Sequence, residues 1–270
     1  MKRRVAPAKI NLALVVGGRR ADGKHELVTV YQRVALADRL ELRVAAANAV
    51  TGFDGDTLVI RALDELAAAT GNRYVARIVK RVPVAAGLGG GSADAAAALR
   101  LGNELAGNML TPDRLGQLAA QLGADVPFFL CDGPQLGEGD GTILSPLDLP
   151  QDYWVVLLLP HGEVKTTTAD VYARFDARGG DIGFAERRDV LLSALAGVRR
   201  PRDLARLPPN DLASSPVADE LLQLGAFRAD VSGAGPAVYG LFHHRAAAEQ
   251  ARRALHRRGR TWLTAPAWYV

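Results

Sequence analysis

Pro83-Val84-Ala85-Ala86-Gly87-Leu88-Gly89-Gly90-Gly91-Ser92-Ala93-Asp94 packs four glycines into five positions, followed by a serine and an alanine run. Glycine tolerates φ > 0, so such a loop can turn successive backbone N–H groups toward one point. The alanine run predicts a helix from Ser92 to about Gly107, with the positive end of its dipole aimed at the same point. A phosphate group suits that geometry. The same residues also read as a plain strand-to-helix turn, with Ser92 as N-cap and Asp94 in the first turn. Two other phosphate loops are excluded by spacing. A P-loop needs a Lys immediately before the Ser or Thr, and here Gly91 precedes Ser92. A dinucleotide loop needs Gly-x-Gly-x-x-Gly after the first strand, a spacing that Gly87, Gly89 and Gly90 do not give.

Outward from the loop, the chain reads as a mixed α+β protein, because regular βαβ alternation is missing. Strands are expected at Ile10–Val16, Leu27–Leu36, Leu40–Val44 and Tyr74–Val82, with a helix over Thr57–Ala69 between the last two. Thr111-Pro112-Asp113 opens a further helix, with Thr111 as N-cap and Pro112 at the first helical position, ending near Gly123. Val126–Leu130 is a short buried segment. Gly and Pro then crowd residues 132–150, which read as a boundary. We expect two domains, 1–150 and 151–270, on that basis. The second begins with a buried strand over Tyr153–Leu159, stopped by Pro160. Helices follow at Ala169–Phe175, Asp189–Ala196, Val217–Leu224 and Ala246–Arg258. Ser232-Gly233-Ala234-Gly235-Pro236 is a second glycine turn between strand-like segments.

Composition narrows the function classes. A chain of 270 residues with 49% hydrophobic and 6% aromatic content is ordinary for a globular protein. No apolar run approaches the ~20 residues of a membrane helix, and the N-terminus lacks the apolar core of a secretory signal. The single cysteine, Cys131, excludes an intramolecular disulfide and a cysteine-cluster metal site; after Phe128-Phe129-Leu130 it reads as a core residue. A cytoplasmic protein without membrane association is the expectation. Arg252-Arg253 and Arg257-Arg258 read as a solvated helix face rather than a nucleic-acid patch.

Two charged residues stand next to apolar segments. Lys9 precedes the Ile10 strand, and Asp125 lies between Leu122-Gly123-Ala124 and Val126-Pro127-Phe128. Buried charges need partners, and these two would satisfy each other; the alternative is a surface lysine and a turn-capping aspartate.

The combination of motifs resembles the GHMP family of small-molecule kinases. Its Pro-x-x-x-Gly-Leu-Gly-x-Gly/Ser-Ser loop is matched by Pro83 and Gly87–Ser92, and its C-terminal glycine turn by Ser232–Pro236. Pro7-Ala8-Lys9-Ile10-Asn11-Leu12, Arg20-Ala21-Asp22-Gly23-Lys24-His25-Glu26-Leu27, the glycine loop and Leu122–Phe128 fall in the order and spacing of one branch of it, with Asn210-Asp211-Leu212 as a weaker fifth. The likeness spans nearly the whole chain.

The resemblance implies a two-domain α+β GHMP fold with the active site in the inter-domain cleft. It implies phosphorylation of a cytidine diphosphate-linked polyol with ATP and Mg²⁺, in isoprenoid precursor synthesis. Asp125 takes the place of the catalytic base and Lys9 of its partner. Pro83, Gly87, Leu88, Gly89, Gly90, Gly91 and Ser92 would bind the ATP phosphates, with Ser92 also a candidate Mg²⁺ contact. Asn11, Lys24, His25, Thr168 and Tyr172 match residues around the acceptor, with His25 on the cytosine edge and Tyr172 stacked on the ring. On their own, His25 reads equally as a surface residue and Tyr172 as a core residue. The implied partners are small molecules, and the implied state is a monomer or homodimer.

Two residues depart from the family pattern. Lys24 stands where an aromatic usually closes the cytosine sandwich, leaving its stem to cover the ring or its charge to meet the diphosphate. Ala93 replaces the second serine of the loop. A homoserine- or mevalonate-type kinase, or a weakened binding protein of the same fold, are the competing readings.

Overall fold

The computed structural model describes residues 1–162 and 167–267. β1 (Lys2–Arg19) and β2 (His25–Ala45) form one long antiparallel hairpin. Sequence periodicity suggested two strands here, Leu27–Leu36 and Leu40–Val44. They are one strand because shifts of register at Pro7/Ala8 and Asn11/Ala13 bend the ladder without breaking it. β2 is long enough to serve several partners: β1 along its length, β4 (Arg73–Val79) near its end and β5 (Gln135–Glu138) near its start. β3 (Ala49–Thr51) and β6 (Ile143–Pro146) complete a six-stranded sheet.

Three helices cover this sheet. α1 (Leu58–Thr70), α2 (Gly90–Leu105) and α3 (Pro112–Leu122) contribute Leu63, Leu66, Leu99 and Leu118 to a core with Leu40, Leu42, Tyr74 and Ile78 of the strands. α2 starts earlier than expected. Its N-cap is Gly89, in the left-handed region at φ 67°, and Ser92 sits inside the first turn. The glycine thus makes the corner that Ser92 was expected to cap. The Thr111 cap is as expected, accepting from the Arg114 N–H. A 3₁₀ turn over Pro127–Leu130 buries Phe128 and Phe129. Cys131, expected in the core, is only half-buried, and burial raises its thiol pKa.

Residues 132–150, read as a boundary segment, hold the β5–β6 hairpin, whose turn is built on Gly139 and Gly141. β7 (Trp154–Pro160), β8 (Arg228–Val231), β9 (Val238–Phe242) and β10 (Gly259–Thr264) form a second sheet in the order β10-β7-β9-β8. β10 escaped the sequence reading because Gly259-Arg260-Thr261-Trp262 lacks an apolar alternation. α5 (Phe184–Ala196), α6 (Pro216–Gln223) and α7 (Arg245–Ala254) pack against this sheet, whereas α4 (Thr168–Ala177) sets Val171 and Phe175 against Leu14, Val16 and Leu27 of the β1–β2 hairpin. The Arg-rich face of α7 is indeed solvated, with Arg252 and Arg253 both paired to Glu249.

The two sheets share a core. Ile10, Leu12 and Val30 of the first pack with Val155, Leu157, Tyr239 and Leu241 of the second. Ala35 N–H donates to the Ala265 carbonyl and Ala267 N–H to that of Arg33, so the end of the chain returns to β2. No helix among the described residues is long and apolar enough to cross a membrane.

Candidate active site

A cleft of about 820 Å³ opens where the two glycine turns meet the β1–β2 hairpin. Lys9 lies within β1, with its backbone N–H donating to the Leu88 carbonyl at 2.9 Å. The strand is thereby stitched to the glycine loop. The Lys9 side chain is only 4% exposed, and its Nζ lies 3.4 Å from Asp125 Oδ2. It also donates to Asn11 Oδ1 at 2.6 Å. Asn11 Nδ2 donates to Thr29 Oγ1 at 2.8 Å, and Thr29 Oγ1 to the Ala13 carbonyl at 2.7 Å. This chain fixes which end of the Asn11 amide faces the ammonium.

Asp125 follows α3 and is a third exposed, at 35% of its side chain. Its Oδ1 accepts from the Tyr31 hydroxyl at 3.2 Å. Burial, then the Asp125 charge, raise the Tyr31 pKa well above its ordinary value, so Tyr31 remains a donor. The turn after Asp125 is anchored from below: Phe128 stacks on Tyr31 at 4.8 Å, and the buried Arg33 guanidinium donates to the carbonyls of Phe128 and Cys131.

The glycine loop reaches the cleft through Gly87, Gly89 and Ser92. A Cβ at Gly89 would come within 2.9 Å of Lys9 Cγ; the missing side chain is what lets the lysine pass. Pro83, Leu88, Gly90 and Gly91 are not on the cleft wall. Leu88 is buried in the shared core, and Gly90 packs against Val82. The second glycine turn closes the cleft with Gly233 and Gly235. Asn210 braces that turn by donating to the Gly233 carbonyl at 2.7 Å.

The opposite wall holds the other sequence candidates, Lys24, His25, Thr168 and Tyr172, all on the cleft. His25 is buried, not a surface histidine, and its ring stacks on Tyr172 with centroids 4.6 Å apart. His25 Nε2 donates to Asp176 Oδ1 at 2.7 Å, and Arg19 donates to Asp176 Oδ2 at 2.8 Å. These two hydrogen bonds, His25 first, hold the Asp176 carboxyl below its usual range. Burial pushes the Tyr172 hydroxyl up to about 12. Thr168 is the first residue of α4, after a capping box made by Thr167 and Asp170. Lys24 Nζ is engaged by Asp140 Oδ2 at 2.5 Å, so its charge already has a partner. Burial would raise the Asp140 pKa, but hydrogen bonds from Lys24 and Thr142 outweigh it and lower it.

Sequence reasoning missed Tyr31, Asp140 and Asp176. Tyr31 had a signal, since it alternates with Thr29 on one face of the strand. Asp140 and Asp176 had none, being brought in from distant turns and helices. A further cluster was missed behind the loop. Lys80 donates to Asp38 at 2.5 Å and to Asp94 at 2.8 Å, and both carboxylates are buried.

A glycine cradle at a helix N-terminus, facing a lysine-held carboxylate, is the arrangement of a phosphoryl-transfer site. Two segments match known domains: residues 57–133 match the GHMP kinases N terminal domain, and 208–261 the GHMP kinases C terminal domain. The chain belongs to the GHMP kinase family, whose members phosphorylate small molecules with ATP. Among its relatives, the 4-diphosphocytidyl-2-C-methyl-D-erythritol kinase of Geobacter sp. strain M21 is 37% identical, covering 97% of this chain and 96% of that protein. The kinase of the same name from Salinispora arenicola is 40% identical, covering 90% of this chain and 84% of its own. A crystal structure of 4-(cytidine 5'-diphospho)-2C-methyl-D-erythritol kinase superposes with a TM-score of 0.79 at 33% identity, covering 98% of this chain and 99% of that one.

Proposed function

We propose that this chain transfers the γ-phosphoryl group of ATP to the 2-hydroxyl of 4-diphosphocytidyl-2-C-methyl-D-erythritol, in the non-mevalonate route to isoprenoid precursors. The observation that carries this reading is the 3.4 Å contact between Lys9 and Asp125, placed between the glycine loop and the His25–Tyr172 wall. Asp125 accepts the proton of the attacking hydroxyl as its oxygen bonds to phosphorus and the bond to the ADP oxygen breaks. Lys9 orients one Asp125 oxygen from 3.4 Å, while Tyr31 holds the second carboxylate oxygen. Backbone N–H groups on the cleft side of the loop, at Gly87, Gly89 and Ser92, and the dipole of α2 hold the phosphates. Tyr172 offers a ring face, and His25 a polar edge, to the base.

Mg²⁺ fits this donor set in one way only. Among the described residues no three acidic, His or Cys side chains gather to cage an ion. A magnesium held mainly by phosphates and waters, with the Ser92 hydroxyl as its protein contact, suits the cleft. Bound there, it would neutralise charge on the β- and γ-phosphates. We take the protein to be cytoplasmic, a monomer or homodimer, with its domains divided near residue 150.

ADP release measured with the cytidyl acceptor, homoserine and mevalonate tests the assignment. Turnover of the first alone is expected. Turnover of homoserine or mevalonate without the cytidyl acceptor would replace it.

A further inference from the structure

We propose that Asp176 is a specificity-determining residue that acts through His25, selecting a cytosine over a uracil on the acceptor. This rests on the reading above, in which the acceptor carries a pyrimidine nucleotide. A carboxylate can only accept hydrogen bonds, so the 2.7 Å contact with Asp176 Oδ1 places a proton on His25 Nε2. In the neutral ring, Nδ1 is then an acceptor. It has no hydrogen-bond partner among the described residues. The rest of the ring is committed: Tyr172 stacks on one face and Phe175 meets it edge-on at 6.1 Å. Burial of His25 at 7% exposure leaves little room for the ring to turn.

An acceptor edge on the cleft wall matches the 4-amino group of cytosine, which donates. It opposes the 4-carbonyl of uracil, whose lone pairs would face those of Nδ1. Arg19 shares the same carboxylate but touches the other oxygen, so it anchors Asp176 without setting the tautomer. The reading residue and the residue that orients it come from different parts of the chain, His25 from the start of β2 and Asp176 from α4.

The test compares kcat and KM for the cytidyl acceptor and its uridyl counterpart, with Asp176→Asn and Arg19→Gln as variants. The wild type should prefer the cytidyl form by more than about tenfold in kcat/KM. Asp176→Asn is isosteric, but its amide can donate to Nε2 as well as accept, freeing the other tautomer. It should cut that preference roughly tenfold through KM, with kcat changed less than about twofold. Arg19→Gln should keep the preference. ¹⁵N NMR of the wild-type His25 ring should report the Nε2–H tautomer for its neutral form, and this reading does not depend on any variant folding. Equal use of both acceptors by the wild type, an Nδ1–H tautomer, or equal loss of preference in both variants would overturn the proposal while leaving the kinase reading intact. Turnover of neither acceptor would overturn both.

Discussion

Asp125 is held on both oxygens, by Lys9 at 3.4 Å and by Tyr31 at 3.2 Å, and is still a third exposed to the cleft. A group so placed is oriented by its neighbours yet open to a hydroxyl. Replacing it with Asn preserves shape and the Tyr31 contact but removes the basic carboxylate. Asp125→Asn should lower kcat by roughly 10²–10⁴-fold, the usual worth of a positioned general base, and shift the KM for ATP by less than about threefold. Steady-state ADP release and a nucleotide titration check both halves. A variant with near wild-type kcat would move the proton acceptor elsewhere. Residues of this kind were legible in the sequence when a short motif carried them, as with Lys9 before Ile10 and Asp125 after Gly123. Asp140 and Asp176 were not, since each gains its role only by meeting a residue far away in the chain, Lys24 and His25.

At the scale of elements, the phosphate loop and α2 depend on a buried charge cluster at their back. Asp38 accepts from the backbone N–H groups of Arg81 and Val82 and from Lys80, tying the end of β4 to β2. Lys80 then reaches Asp94 in the second turn of α2, where Asp94 Oδ1 has no partner among the described residues. Burial, then the Asp38 charge, raise Asp94 to about 7 against the pull of Lys80. The folded state therefore holds this proton more tightly than the unfolded chain, whose Asp titrates near ~3.9. The stability it contributes is full below that value and is lost as pH rises through about 7. Asp94→Asn keeps a neutral side chain at every pH. Denaturant melts at pH 5 and pH 8 should show the wild type losing roughly 2–3 kcal/mol more than the variant across that interval. Parallel losses in the two proteins would mean that Asp94 ionises at its ordinary value. Local signals exposed most of these elements, such as the Thr111-Pro112 cap and the alanine run of α2. They failed where tertiary pairing decides: the bent β2 read as two strands, β5 and β10 exist because β2 and β7 are there to pair with, and β6 because β5 is.

At the scale of the molecule, the site depends on two glycine turns from different sheets being pressed together. Ser232 Oγ donates to the Gly87 carbonyl at 2.9 Å, and Ala237 N–H to that of Ala86 at 3.0 Å. These bonds tie the phosphate loop to the turn between β8 and β9. A Cβ on Gly87 would stand 2.1 Å from the Ser232 carbonyl oxygen, on a backbone whose φ is 79°. Gly87→Ala thus meets two costs, the left-handed backbone and a backbone clash that only separation of the turns relieves. Gly71 isolates the first, since it has φ 75° at the end of α1 with nothing within 4 Å of its would-be Cβ. Gly71→Ala should cost about 1 kcal/mol and leave the KM for ATP unchanged. Gly87→Ala should cost roughly 2–3 kcal/mol and raise that KM more than about fivefold, because the N–H groups of the loop move away from the phosphates. Thermal melts and ATP kinetics on the two variants separate these effects. If Gly87→Ala proves no worse than Gly71→Ala on both measures, the turns yield without moving the phosphate site, and the cleft owes its shape to the shared core of Ile10, Leu157 and Tyr239 instead.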